Sequence, residues 1–329
     1  MNKFIKLIYT VIGILGLSII TVAHAAVYTK VPGTAVYVSA PEGFQLTDQF
    51  SGFIDSKTGA TILVATMPPA SSEMQSLFND EKRFKAQMVS QHYIINRQTF
   101  SKTRDGFLLA IYQGKQEAAS VVYDKWSTMI FASNATYVVT IQAPEKISFP
   151  DTTAMSIFNS LSVSNDNQPD DQLRALPFTF AVQLPFEFVG SIMNSSAMLT
   201  IPALEKDDAG RPDIILSKGL ENVKGQSLDN VVETYLKSLD GTVNNIENRQ
   251  TTPVKFAGHD GVRLQATARM KDKPVELIIY AAIGNDGRPM FLHATGEKGK
   301  LAAYNTQIEQ TANSVALRNE QESQSNTAE

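Results

Sequence analysis

A tetrapeptide that occurs twice, Asn96-Arg97-Gln98-Thr99 and Asn248-Arg249-Gln250-Thr251, constrains this chain more than any other feature; its copies are 249 − 97 = 152 residues apart. Other landmarks recur in the same order. Pro41-Glu42-Gly43-Phe44 is matched by Pro185-Phe186-Glu187-Phe188 (185 − 41 = 144) and Asp105-Gly106 by Asp260-Gly261 (260 − 105 = 155). Asn159-Ser160-Leu161 is matched by Asn313-Ser314-Val315 (313 − 159 = 154). One register with small loop insertions accounts for all of them, so the chain reads as one domain built twice. Between the copies, Ser164-Asn165-Asp166-Asn167-Gln168-Pro169-Asp170-Asp171 has no apolar residue and contains a proline, which marks a boundary. The expected organisation is a first domain over 26–163, a linker over 164–174, a second domain over 175–317 and a disordered tail over 318–329.

The N-terminus has Lys3 and Lys6, an apolar run from Leu7 to Val22, and Ala23-His24-Ala25 before Ala26. That order predicts a secretory signal peptide over 1–25 and a periplasmic or secreted protein; an uncleaved anchor is the alternative. No cysteine is present, which excludes an acylated lipoprotein, disulfides, thiolate nucleophiles and thiolate metal sites. Without residues 1–25 the chain has 29 − 2 = 27 basic and 33 acidic residues, a formal charge of −6. An acidic balance of this size gives no electrostatic reason for nucleic-acid or anionic-lipid binding.

Apolar periodicity supplies the elements. In the first copy, Val36, Val38 and Ala40 alternate with polar partners, and Thr61 to Met67 forms a second strand. A helix is expected from Met74 to His92, with Met74, Leu77, Phe84 and Met88 on one face. Strands over Phe107–Gln113, Val121–Ala132 and Tyr137–Ala143 follow, and Ala154, Ile157, Phe158 and Leu161 form the stripe of a closing helix. In the second copy, Ser227 is placed to cap a helix whose apolar face is Leu228, Val231, Val232, Tyr235, Leu236 and Leu239, ending before Gly241. Val262, Leu264, Ala266 and Ala268 alternate, Val275 to Ile283 is a buried strand, and Asn285-Asp286-Gly287 turns into Met290–Ala294. Leu301, Tyr304, Ile308, Ala312 and Val315 belong to a last helix. Each copy therefore reads strands, helix, three-stranded antiparallel meander, helix. That order predicts an α+β fold of two tandem similar domains, each an antiparallel sheet covered by helices.

The element order, the Pro-x-x-Phe after the first strand and the Asp-Gly opening the meander resemble the PsbP/Mog1-like fold of bacterial secreted proteins, once per copy over nearly all the chain after residue 25. The resemblance implies an accessory or binding protein of a larger assembly and supplies no catalytic residues.

The sequence carries few motifs of catalytic or metal-binding chemistry. His92, His259 and His293 lack metal-ligand spacing, and no position carries a histidine in both copies. His259-Asp260 reads as a polar turn, with a general-base pair as the sharper alternative. No Gly-x-Ser-x-Gly elbow occurs, and Gly299-Lys300 is followed by Leu301, with Ala294 where a phosphate loop needs glycine. Glu205, Asp207, Asp208 and Asp213 around Gly210 lack the alternating spacing of a calcium loop and read as a solvated loop. Arg97 and Arg249 are either a pair of exposed arginines on equivalent surfaces or residues beginning a strand after a turn made by asparagine. Trp126 is expected to face the core. The expectation is a non-catalytic periplasmic protein that binds or assembles through an envelope protein partner, with no cofactor, no metal site, no catalytic residue and no membrane insertion after signal cleavage. An envelope hydrolase with carboxylates and His259 in the inter-domain groove, or a small-ligand carrier, are the alternatives.

Overall fold

The computed structural model describes residues 28–318 except 68, 90–91, 119–120, 165–168, 203, 205–210, 240–241 and 271. The expected signal segment, most of the acidic loop and residues 319–329 lie outside the described residues.

The first half runs β1 (Tyr28–Lys30), β2 (Val36–Ser39), β3 (Gln45–Leu46), β4 (Gly52–Ile54), β5 (Thr61–Met67), α1 (Ser72–Asn79) and α2 (Glu81–Met88). It continues with β6 (Tyr93–Lys102), β7 (Leu108–Ala118), β8 (Val121–Phe131), β9 (Thr136–Pro144), α3 (Asp151–Ser160) and β10 (Ser162–Val163). A helix α4 (Pro169–Ala175) leads into the second half: β11 (Phe178–Thr179), β12 (Glu187–Ile192), β13 (Ser196–Thr200), β14 (Asp213–Lys218) and α5 (Leu228–Ser238). The chain ends with β15 (Asn244–Phe256), β16 (His259–Met270), β17 (Lys273–Ile283), β18 (Pro289–Glu297), a 3₁₀ turn (Leu301–Tyr304), α6 (Asn305–Asn313) and β19 (Ala316–Leu317).

Both halves form a seven-stranded antiparallel sheet of the same topology, β3-β4-β5-β9-β8-β7-β6 and β12-β13-β14-β18-β17-β16-β15. The fold is α+β, with two similar tandem domains whose sheets are covered by helices on both faces. In the first copy, Ala154, Ile157 and Phe158 of α3 bury one sheet face with Ile111, Val139 and Ile141. Phe78 and Phe84 cover the other face, over Ala110 and Tyr112. In the second copy α6 covers Ile278 and Leu292 through Ile308 and Ala312, and α5 covers Leu264 and Ile279 through Val231 and Leu236. Burial on both faces is why the central strands read as near-continuous apolar runs.

Three sequence expectations change. The helix expected from Met74 to His92 is two helices. Asp80 breaks it in an extended conformation, and its carboxylate accepts the Arg83 N–H at 3.1 Å, capping α2. Met74 is exposed, and Phe78 is the buried anchor instead. The meander has four strands rather than three, because β6 and β15 extend it to the sheet edge. Residues 169–175, expected in the linker, are helical, and Arg318, expected in the tail, donates to Leu176 O (2.8 Å) and Leu173 O (3.2 Å) at the end of that helix. The capping by Ser227, whose Oγ accepts the Asn230 N–H at 3.3 Å, is as expected.

Candidate functional site

The repeated tetrapeptide sits inside edge strands, not after a turn. Asn96 occupies a bulge between Ile95 and Arg97, and Asn248 and Arg249 lie in a register shift between Glu247 and Gln250, with Asn248 at φ 54°. Asparagine tolerates that left-handed conformation, so the bulge explains the residue type. The copies are not in register, however. Phe100 pairs with Ala110 and Pro253 with Val262. The inner strands are therefore offset by 262 − 110 = 152, but the edge strands by 253 − 100 = 153. The sequence identity is out of step with the structure by one residue, and one residue along a strand reverses the face. Arg97 accordingly reaches the Asp151 carboxylate at the start of α3, whereas Arg249 donates to both carboxylate oxygens of Glu233 on α5, at 2.8 and 3.0 Å. The two arginines do not form equivalent surfaces. The Asp105-Gly106 match fails for a related reason. Gly106 (φ 95°) and Gly258 (φ 84°) are the equivalent turn residues, and Asp260 falls within β16, where the first copy has Leu108.

Asp151 gathers three side chains of the first copy. Besides Arg97, it accepts from Gln113 Nε2 (2.7 Å) and from Trp126 Nε1 (3.2 Å). Trp126 is buried, as expected, with its ring 5.6 Å from Phe149. The register places Gln265 and Ile278 where the first copy has Gln113 and Trp126. The ring that donates to Asp151 thus has no counterpart in the second copy. This cluster fastens α3 to the sheet; its four members are spread over 54 residues (151 − 97), and sequence reasoning had no local signal for it.

The second copy has a cleft of about 330 Å³ between α5, the 219–226 loop and β18, lined by Leu220, Val231, Thr234, Tyr235, Pro289 and Phe291, with Glu221 as its charged member. Tyr235 stacks on Phe291 (centroids 4.1 Å, 14° between planes) and forms its wall. Behind it lies buried His293, whose Nδ1 is 3.3 Å from the Tyr235 hydroxyl and whose Nε2 is 2.7 Å from Thr295 Oγ1. Burial pushes the His293 pKa down to about 4 and the Tyr235 hydroxyl up to about 12. A neutral imidazole accepting at one nitrogen and donating at the other satisfies both neighbours. The apolar wall with a few polar groups suits binding of an apolar group.

The remaining candidates are placed apart. His259 opens β16, five strand spacings or roughly 24 Å across the sheet from β12. Asp260 pairs with Lys255 at 2.8 Å, and that hydrogen bond holds its carboxyl below the usual range. Asp213 accepts from Arg211 Nε at 3.3 Å and also bonds Thr200. Among the described residues no group of three His, Asp or Glu side chains is placed to hold a metal ion. His92 is an exposed residue at φ 53° before β6.

The two copies meet through the β12–β13 turn. Met193 O accepts the Ser51 N–H at 2.9 Å, Asn194 Nδ2 donates to Pro32 O at 2.6 Å, and Lys30 pairs with Asp171 of α4 at 3.3 Å. Gly33 (φ 70°) lies so close that a Cβ there would stand 2.1 Å from Asn194 Oδ1. His259, at the far side of its sheet from β12, does not belong to this junction, which removes the histidine from the inter-domain site considered on sequence grounds.

No protein-family model matches the sequence, and no curated protein matches it. Solved structures with a similar arrangement include LpqN of Mycobacterium tuberculosis, described as involved in cell envelope biogenesis: 12% identity, 43% of this chain and 83% of that one, TM-score 0.32. PA94 of Pseudomonas aeruginosa, of unknown function, aligns at 12% identity over 41% of this chain and 94% of its own, TM-score 0.30. The immunity protein TplEi of the P. aeruginosa type VI secretion system aligns at 9% identity over 87% of this chain and 95% of its own, TM-score 0.28. The described residues contain no helix long and apolar enough to cross a membrane.

Proposed function

We propose that this chain is an exported, non-catalytic binding or assembly protein of the cell envelope, acting through protein–protein contacts. Its organisation would be a signal peptide over 1–25 and two PsbP/Mog1-like domains over 26–163 and 175–317, joined by 164–174. One contrast carries the reading. The charged and aromatic groups singled out in the sequence are committed to internal partners, Arg97 and Trp126 to Asp151 and Arg249 to Glu233. Several large apolar side chains are left facing water, led by Leu184 (80% exposed), Leu108 (75%) and Phe100 (71%). Contiguous exposed apolar groups mark interaction surfaces, and Phe100 and Leu108 lie on neighbouring strands two ladder positions apart. In-cell photocrosslinking from positions 100, 184 and 220 tests it: a reproducible protein adduct is expected, and turnover of an envelope substrate abolished by one substitution would refute it. A small-ligand carrier is the second reading, favoured by the cleft beside Tyr235 and Phe291. Native mass spectrometry of protein purified without extraction should then show a bound mass that disappears in Phe291→Ala.

A further inference from the structure

The duplication provides an internal control for the sheet edges. The β6–β7 and β15–β16 hairpins end equivalent meanders, so residues at matching ladder positions differ only by what each copy has been given. Where β15 has Pro253, β6 has Phe100, and where β16 has Asp260, β7 has Leu108. In the second copy Asp260 pairs with Lys255 across the hairpin. In the first, Lys102 stands opposite Leu108 and forms no ion pair among the described residues. Proline removes a backbone donor, and β15 also carries two register shifts against one in β6. Prolines, bulges and charges are the devices that keep sheet edges from pairing. The second copy adds a proline, a further bulge and a charged pair; at the matching positions the first presents an aromatic and a leucine.

The outward-facing groups of β6 follow from its ladder. Thr103 N–H donates to Phe107 O at 2.9 Å, so alternation turns the backbone of Ser101 and Thr99 inward as well. Gln98, Phe100 and Lys102 then direct their N–H and C=O groups away from the sheet. We propose that this edge pairs with the same edge of a second copy of the chain, antiparallel about a two-fold axis at Phe100. In that register Phe100 faces Phe100 of the second molecule, Gln98 faces Lys102, and Thr99 faces Ser101. No like charges oppose each other, aromatic meets aromatic, and the three outward-facing residues lie in hydrogen-bonded pairs. The contact is isologous and closes at two molecules. The matching edge of the second copy carries Pro253, and β12 ends in the turn docked on the first copy, with its Ser191 N–H donated to Gln172 Oε1. The short paired length makes this a weak, concentration-dependent dimer.

Sedimentation of the purified protein across about 5 to 500 μM tests this independently of any envelope partner. Wild type should shift from monomer to dimer over that range. Phe100→Pro with Leu108→Asp, which transplants the residues of the second copy, should remain monomeric with an unchanged circular dichroism spectrum. Because the chain has no cysteine, single-cysteine variants report the register. Phe100→Cys treated with a short bismaleimide should give at least tenfold more crosslinked dimer than Pro253→Cys. A wild type that stays monomeric at 500 μM, a transplant that still dimerises, or equal crosslinking from the two positions overturns the proposal.

Discussion

Acidification should destabilise the second copy through His293, because burial beside Tyr235 and Thr295 keeps its imidazole neutral. Its pKa is about 4 in the folded chain and 6.5 when solvated. The unfolded state therefore binds a proton first as pH falls, and stability is lost from about pH 6.5 downward, levelling off below pH 4. The full difference is 6.5 − 4 = 2.5 pKa units, about 3 kcal/mol at about 1.4 kcal/mol per unit. At pH 4.5 roughly three quarters of it is gone, about 2 kcal/mol. Urea unfolding followed by circular dichroism at pH 7.5 and 4.5, for wild type and His293→Gln, isolates this contribution. The variant should start about 1 kcal/mol less stable at pH 7.5, since the Tyr235 hydroxyl has a poorer partner. It should then lose about 2 kcal/mol less than wild type between the two pH values. Equal losses in both proteins, or an NMR titration of the His293 ring with a midpoint above 6, would refute the reasoning.

Asp151→Asn should shift Trp126 fluorescence, because the carboxylate accepting Nε1–H becomes an amide. Arg249→Ala, which removes an exposed pair with Glu233, should change stability by less than about 1 kcal/mol in thermal denaturation. Gly33→Ala combines a left-handed backbone with a Cβ that meets Asn194 and Ala175. It should loosen the junction between the copies, seen as faster limited proteolysis between them and a larger radius of gyration by X-ray scattering. Phe78→Ala removes a ring packed against Phe84, Tyr112 and Phe131 and should cost about 3 to 5 kcal/mol in chemical unfolding read by Trp126.

Sequence by itself determined the α+β class, the duplication, the capped helix at Ser227 and the central meander strands. Each is written in short-range pattern: a 3.6-residue stripe, alternation or a long apolar run, and turn residues between them. Strand edges and helix breaks were harder to read. β6 begins at Tyr93, directly after the helix expected to reach His92, and no strand is expected there; the break at Asp80 depends on its side chain turning to cap α2. Tertiary structure alone decided which face the residues beyond a bulge occupy, since one extra residue there reverses every side chain that follows. Hence the identical Asn-Arg-Gln-Thr segments send their arginines to different helices, and Phe100 and Pro253 stand at the same ladder position although the sequence match pairs Phe100 with Thr252. The Asp151 cluster, the burial of His293 and the docking of Asn194 against Pro32 likewise join residues far apart in the chain. Their distances and desolvation are set by packing, which short-range pattern does not encode.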